Sequence, residues 1–216
     1  MTARRRVGTE ACALVVVALL PSFSRSLPGQ AAAWTCGPLG DARSAQAKTL
    51  DALKNRTDAP KPSDIDSQVS LTAILASGDD RTRWNEHRGA VITGYVLHVK
   101  PGGVESANCH SRALLHRDTH IELVLDPAHS SGPNRFIVEV TPRVRTIMAA
   151  RGVDWSTQAL QRTLQGRWVK VTGWLMFDTD HVGQSEHTAP GKPDNPRATA
   201  WEVHPVTAIE VVPPPE

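Results

Sequence analysis

Cysteine is scarce in this sequence, with three residues in 216, and no large excess of either charge sign is present. There is no internal repeat, which argues against a solenoid. There is no glycine-rich phosphate loop and no Gly-x-Ser-x-Gly elbow, so neither P-loop nucleotide chemistry nor the common serine-hydrolase layout is indicated. Long hydrophobic runs are missing as well. The stretch Cys12 to Leu20 (CALVVVALL) falls short of the roughly 20 apolar residues that a permanent membrane span requires.

That short run sits in a recognisable setting. Arg4, Arg5 and Arg6 precede it, and Ala31, Ala32 and Ala33 follow as a small-residue cleavage site. This is the layout of a secretory signal peptide over residues 1–33. No cysteine follows the run where a lipoprotein would need one. The mature chain is therefore expected to begin near Trp34, in the periplasm or outside the cell, with no transmembrane segment after cleavage. Cleavage also changes the charge balance. It removes Arg4, Arg5, Arg6 and Arg25 but only Glu10 from a chain with 24 basic and 22 acidic side chains, leaving one more acid than base. A nearly neutral body lacks the clustered positive charge that tight, sequence-independent nucleic-acid binding needs.

Cys12 leaves with the signal, so Cys36 and Cys109 remain. In an oxidising compartment an even pair reads most simply as one disulfide. The competing reading makes Cys109 a metal ligand beside His110.

The clearest structural signal runs from Gly166 to Phe177 (GRWVKVTGWLMF). Val169, Val171, Gly173, Leu175 and Phe177 alternate with Lys170, Thr172, Trp174 and Met176, the period of a strand with one apolar face. Gly173 in the inward row predicts a bend or a close backbone approach. Four more strands are expected at 90–100, 118–125, 136–141 and 200–212. A helical stretch over 142–164, opened by Pro142 and broken by Gly152, separates the third from the fourth. Before them, a helix is expected at 41–56, with Ala45, Leu50 and Leu53 as apolar contacts, and a short second helix or buried turn at 65–77. These form an N-terminal flap over 34–87 that is too small to fold without the body at 88–212.

Three strands, a helix and two strands is the element order of the OB-fold, the five-stranded Greek-key barrel. With WVKVTGWL as strand four, residues 88–212 resemble that fold. The expected class is thus mainly β, an OB-like barrel with a helix between strands three and four and a short helical flap before it. The stretches GYVLHVKPGGVESANCH, RDTHIELVLDP and TAWEVHPVTAIEV also resemble a family of exported bacterial proteins with an OB-like domain and no assigned activity. That likeness implies a barrel and an export route, and no chemistry.

In an OB barrel the loops joining strands one to two and four to five flank one binding face. Here the first holds Glu105, Asn108, Cys109, His110, His116 and Asp118. The second holds Asp178, Asp180, His181, Glu186 and His187. Alternation places Ile121, Leu123 and Leu125 inward and His120 and Glu122 outward, and likewise Trp201 and Val203 inward and Glu202 and His204 outward. Asn108, His110, Asp118 and Trp174 are the candidate ligand-binding residues, Trp174 as a stacking platform or else as a cover for the packed helix or the N-terminal flap. His120, His181 and His204, completed by Glu122 or Asp118, are the candidate ligands for a zinc-like divalent metal. A surface ion pair is the plainer reading of each, because no two histidines have the local spacing of a known metal motif.

Three functions fit this pattern. The first is an exported module that clamps a small or oligomeric ligand between the two loops. The second is a metal-dependent hydrolase, such as a phosphodiesterase, acting through His120, His181 and His204. Nuclease barrels of related topology carry an Asp-Gly-Asp-Thr pattern near the first hairpin, and only Asp118-Thr119 of it is present here. The third is a structural envelope protein.

Overall fold

A computed structural model describes residues 34–215, and the expected signal peptide at 1–33 lies outside the described residues. The chain from Cys36 onward forms one compact unit. Among the described residues no helix is long and apolar enough to cross a membrane.

Five strands form it: β1 (Gly89–Pro101), β2 (Thr119–Val124), β3 (Phe136–Val140), β4 (Trp168–Phe177) and β5 (Trp201–Val211). They close into a barrel in the order β1-β2-β3-β5-β4. All neighbours are antiparallel except β3 and β5, which run parallel. β1 carries the closure because it is long enough to bend. Its first half pairs with β4 and its second half with β2, with a register shift between Val96 and His98.

Alternation explains the core. Ile92, Val96, Ile121, Leu123, Val138, Val171, Leu175 and Val203 are buried inside the barrel, and burial of such side chains is the main force for folding. Gly173 occupies the tight point the sequence suggests. A Cβ there would run into the Pro205 carbonyl and the Val203 side chain, and the β4–β5 register shifts on both sides of it.

Two helices separate β3 from β4 along the chain, on either side of Gly152: α3 (Pro142–Ala150) and α4 (Thr157–Leu164). Thr141 and Ser156 cap them by accepting the Val144 and Ala159 amides, and Pro142 occupies the first turn, where its missing N–H costs nothing. Leu160 and Leu164 join the barrel core.

The N-terminal segment contributes α1 (Ala45–Lys54), capped by Ser44, and α2 (Leu71–Leu75), capped by Ser70. Leu50 is buried, but Leu53 is only half-buried and Ala45 is exposed. The buried end of α1 instead carries Asp51 and Lys54. Cys36 and Cys109 are bonded, with their Cα atoms 5.7 Å apart, tying this segment to the β1–β2 loop.

Candidate functional site

The β1–β2 loop, the β4–β5 loop and the outer faces of β2 and β3 enclose a cavity of about 390 Å³. The end of β1 and its loop supply Lys100, Gly102 and Glu105 to the wall. β2 and β3 supply His120, Glu122, Ile137 and Glu139. The long loop supplies His181, Gln184 and Arg197.

Both loops are held by buried polar contacts. Asp80, fully buried, anchors the long loop by accepting from Thr199 Oγ1 at 2.6 Å and meeting His187 Nδ1 at 2.8 Å, while its backbone carbonyl accepts from Trp201 Nε1. In the short loop, Ser106 donates to Asp51 of α1 and the Asn55 amide donates to the Ala107 carbonyl. Lys54 spans the two loops. The residue is only 3% exposed, and its ammonium lies 2.8 Å from Glu105 and 3.0 Å from Asp178.

A buried charge network lies under the cavity. His120 and Glu139 are directly opposite in the β2–β3 ladder, and His120 Nδ1 meets Glu139 Oε1 at 2.9 Å. His204 Nδ1 meets Glu202 Oε2 at 3.1 Å, and Arg197 pairs with the same carboxylate. His204 Nε2 faces Asp118 Oδ2 at 3.7 Å. His181 Nδ1 lies 3.0 Å from Asp178.

This environment sets the proton affinities. Burial pushes the Asp118 carboxyl up to about 7, against the opposing pull of His204. Burial would lower His204, but its bond to Glu202 and the charges of Glu139 and Asp118 outweigh that and raise it to about 9. Burial would raise Glu202 too, yet Arg197 and His204 hold it well below the usual carboxylate range. Lys54 is raised well above its ordinary value, because Glu105 and Asp178 overcome its desolvation.

The candidate residues are thus distributed unevenly. His120, Glu122 and His181 line the cavity, and His204 lies buried beneath it. Among the described residues, potential ligand atoms within 4.8 Å of one another form two groups: Asp118, Glu139 and His204, and Asp178, His181 and Glu202. The three imidazoles are not gathered in one of them. Glu122 is engaged by Lys100 and Arg135. None of Asn108, His110, Asp118 and Trp174 is among the lining residues. Asn108 is buried in its loop, and His110 is exposed and paired with Asp41. Trp174 lies under the N-terminal segment, with Arg56 over its ring at 5.1 Å and its indole N–H donating to the Asp58 carbonyl.

Lys54, Asp80, Glu139 and Arg197 were not singled out from the sequence. Glu139 had a usable signal, since the alternation in FIVEV puts it beside the outward row of β2. No family model matches this chain, and no curated protein matches it in sequence.

Proposed function

We propose that this protein is an exported OB-like binding module that takes a small, hydroxyl-rich ligand of the sugar class in the cavity between its two loops. The observation that carries the reading is the location of that cavity. It is bounded by the β1–β2 loop, the β4–β5 loop and the faces of β2 and β3, the surface that OB barrels use for ligands. The strand order and the parallel β3–β5 pair support the OB-like assignment. The disulfide suits an oxidising compartment and so supports export.

Ligand chemistry follows from the lining. Lys100 pairs with Glu122, Arg197 with Glu202, Glu105 with Lys54 and His120 with Glu139. Arg117 donates to the Gly102 and Gly103 carbonyls. These pairs leave little net field at the wall for a phosphate or a nucleic-acid backbone. They do offer many donors and acceptors at short range, the complement of a neutral polyol.

Titration of the protein with a panel of mono- and disaccharides, followed by amide chemical shifts, tests the reading. Saturable shifts confined to residues of the two loops and β2–β3, weakened by Gln184→Ala, are expected. Saturable shifts with a nucleotide and none with any sugar would replace it.

A further inference from the structure

Beneath the cavity floor, Asp118, Glu139 and His204 come from β2's leading edge, β3 and β5, and their potential ligand atoms lie within 4.8 Å of one another. They are 2%, 4% and 0% exposed. Neither oxygen of Asp118 accepts a hydrogen bond among the described residues, and Glu139 Oε2 and His204 Nε2 are equally without one. Buried polar atoms are nearly always satisfied, and a buried carboxylate with no donor is costly. One ligand atom from each of the three side chains, all within 4.8 Å of one another, calls for a shared partner.

We infer that Asp118, Glu139 and His204 bind a divalent first-row transition ion of the zinc or manganese type at the floor of the cavity. The surrounding contacts already suit this. Glu202 holds His204 Nδ1 at 3.1 Å, which leaves Nε2 turned toward Asp118. A carboxylate on the far nitrogen of an imidazole is the usual outer support of a metal-bound histidine. His120 likewise holds Glu139 Oε1 at 2.9 Å and leaves Oε2 free. The mixed oxygen and nitrogen set favours a transition ion over calcium or magnesium, which take oxygen ligands.

The neighbouring group of Asp178, His181 and Glu202 shows the contrast. Lys54 already lies 3.0 Å from Asp178, and Arg197 already pairs with Glu202. Asp118 pairs with His204, and Glu139 with His120 and His204, while Arg143 and Arg145 act on Asp118 electrostatically. Asp178 Oδ2 and His181 Nδ1 also lack a hydrogen bond, but Asp178 Oδ2 lies 3.0 Å from both the Lys54 ammonium and His181, so that group already holds its cation. Glu139 also lines the cavity, which gives the ion its way in. The inference rests on the proposed binding module only for this access route and needs no sugar to be bound.

The test is zinc alone against the purified, metal-stripped protein, by equilibrium dialysis and by cobalt substitution. About one equivalent is expected, with cobalt giving d–d bands and no sulfur charge-transfer band. Asp118→Asn and Glu139→Gln should each weaken zinc at least tenfold, and His181→Gln should leave it within about twofold. Anomalous scattering from zinc-soaked crystals, which needs no variant, should place one peak between the three side chains. No stoichiometric zinc, a peak elsewhere, or binding that survives both carboxylate variants would overturn the inference. Zinc binding without any sugar response would leave it standing and sink the sugar reading, and the reverse result would separate them the other way.

Discussion

Lys54 at the end of α1 and Asp178 just after β4 meet at 3.0 Å, and both are almost fully buried. The pair ties the N-terminal segment to both loops that border the cavity, since the same ammonium also reaches Glu105 in the other loop at 2.8 Å. Buried ion pairs add little net stability when complete, but removing one member strands the other.

Lys54→Met is therefore expected to destabilise the fold by about 3–5 kcal/mol, the usual cost of an orphaned buried charge. Urea unfolding measures it. The double variant Lys54→Met/Asp178→Asn should recover part of the loss, because one of the two stranded carboxylates is gone. A single variant within about 0.5 kcal/mol of wild type would show that the pair is dispensable.

The disulfide gives an independent prediction. Cys36 and Cys109 are separated by 73 positions, and closing such a loop contributes roughly 4 kcal/mol on the chain-entropy account. Cys36→Ser/Cys109→Ser should lower the urea midpoint correspondingly. Thiol titration of denatured, unreduced protein lacking residues 1–33 should find no free thiol, and two would refute the bond.

Much of this arrangement was legible in the sequence, and the failures have physical causes. The period-two rows in β2, β4 and β5 sort inward from outward residues, and Ile121, Leu123, Trp201 and Val203 are buried as that rule requires. Leu125 breaks the rule: β2 ends at Val124, and Leu125 is 43% exposed. Outward did not mean solvated either. Glu202 and His204 are on the outer side of β5 and yet 1% and 0% exposed, because the long loop and the N-terminal segment cover them. Lys54 could not be read at all. In the helical pattern it neighbours Leu53, and only the tertiary fold shows that the lysine is buried while the leucine is half-exposed.

Proton linkage at the long loop should be visible in His181. Burial lowers its proton affinity, but Asp178 outweighs that and raises it above the ordinary value, with Arg197 opposing and Glu202 assisting. A raised imidazole stabilises the fold fully below its unfolded value of about 6.5 and loses that contribution as pH rises through the folded value. The stability difference between wild type and His181→Gln should thus be larger near about pH 5.5 than near about pH 9. Chemical unfolding at the two values measures it, and an equal difference would show that His181 is not charged in the fold.

Gly173 tests the barrel geometry. A Cβ at this position meets the Pro205 carbonyl and Val203 in a part of the sheet that is already shifted in register. Backbone cannot move aside as a flexible side chain can, so Gly173→Ala should cost about 1–3 kcal/mol by overpacking. Thermal unfolding reads the loss. A neutral substitution would mean that β4 and β5 are further apart at this point.

Trp174 separates packing from binding. The residue is 9% exposed, its ring lies beneath Arg56, and its N–H donates to the Asp58 carbonyl at 2.8 Å, none of these being residues that line the cavity. Trp174→Phe keeps an aromatic face for the guanidinium and removes the indole donor, leaving the Asp58 carbonyl without that bond. The expected loss is about 1 kcal/mol, the net worth of one ordinary hydrogen bond. Trp174→Ala also opens a void and should cost about 3–5 kcal/mol. Neither change touches the cavity wall, so saccharide-induced shifts at loop residues should persist in Trp174→Phe with unchanged midpoints. A tenfold weaker midpoint in that variant, at full folding, would return Trp174 to the ligand site and move the binding face toward β4.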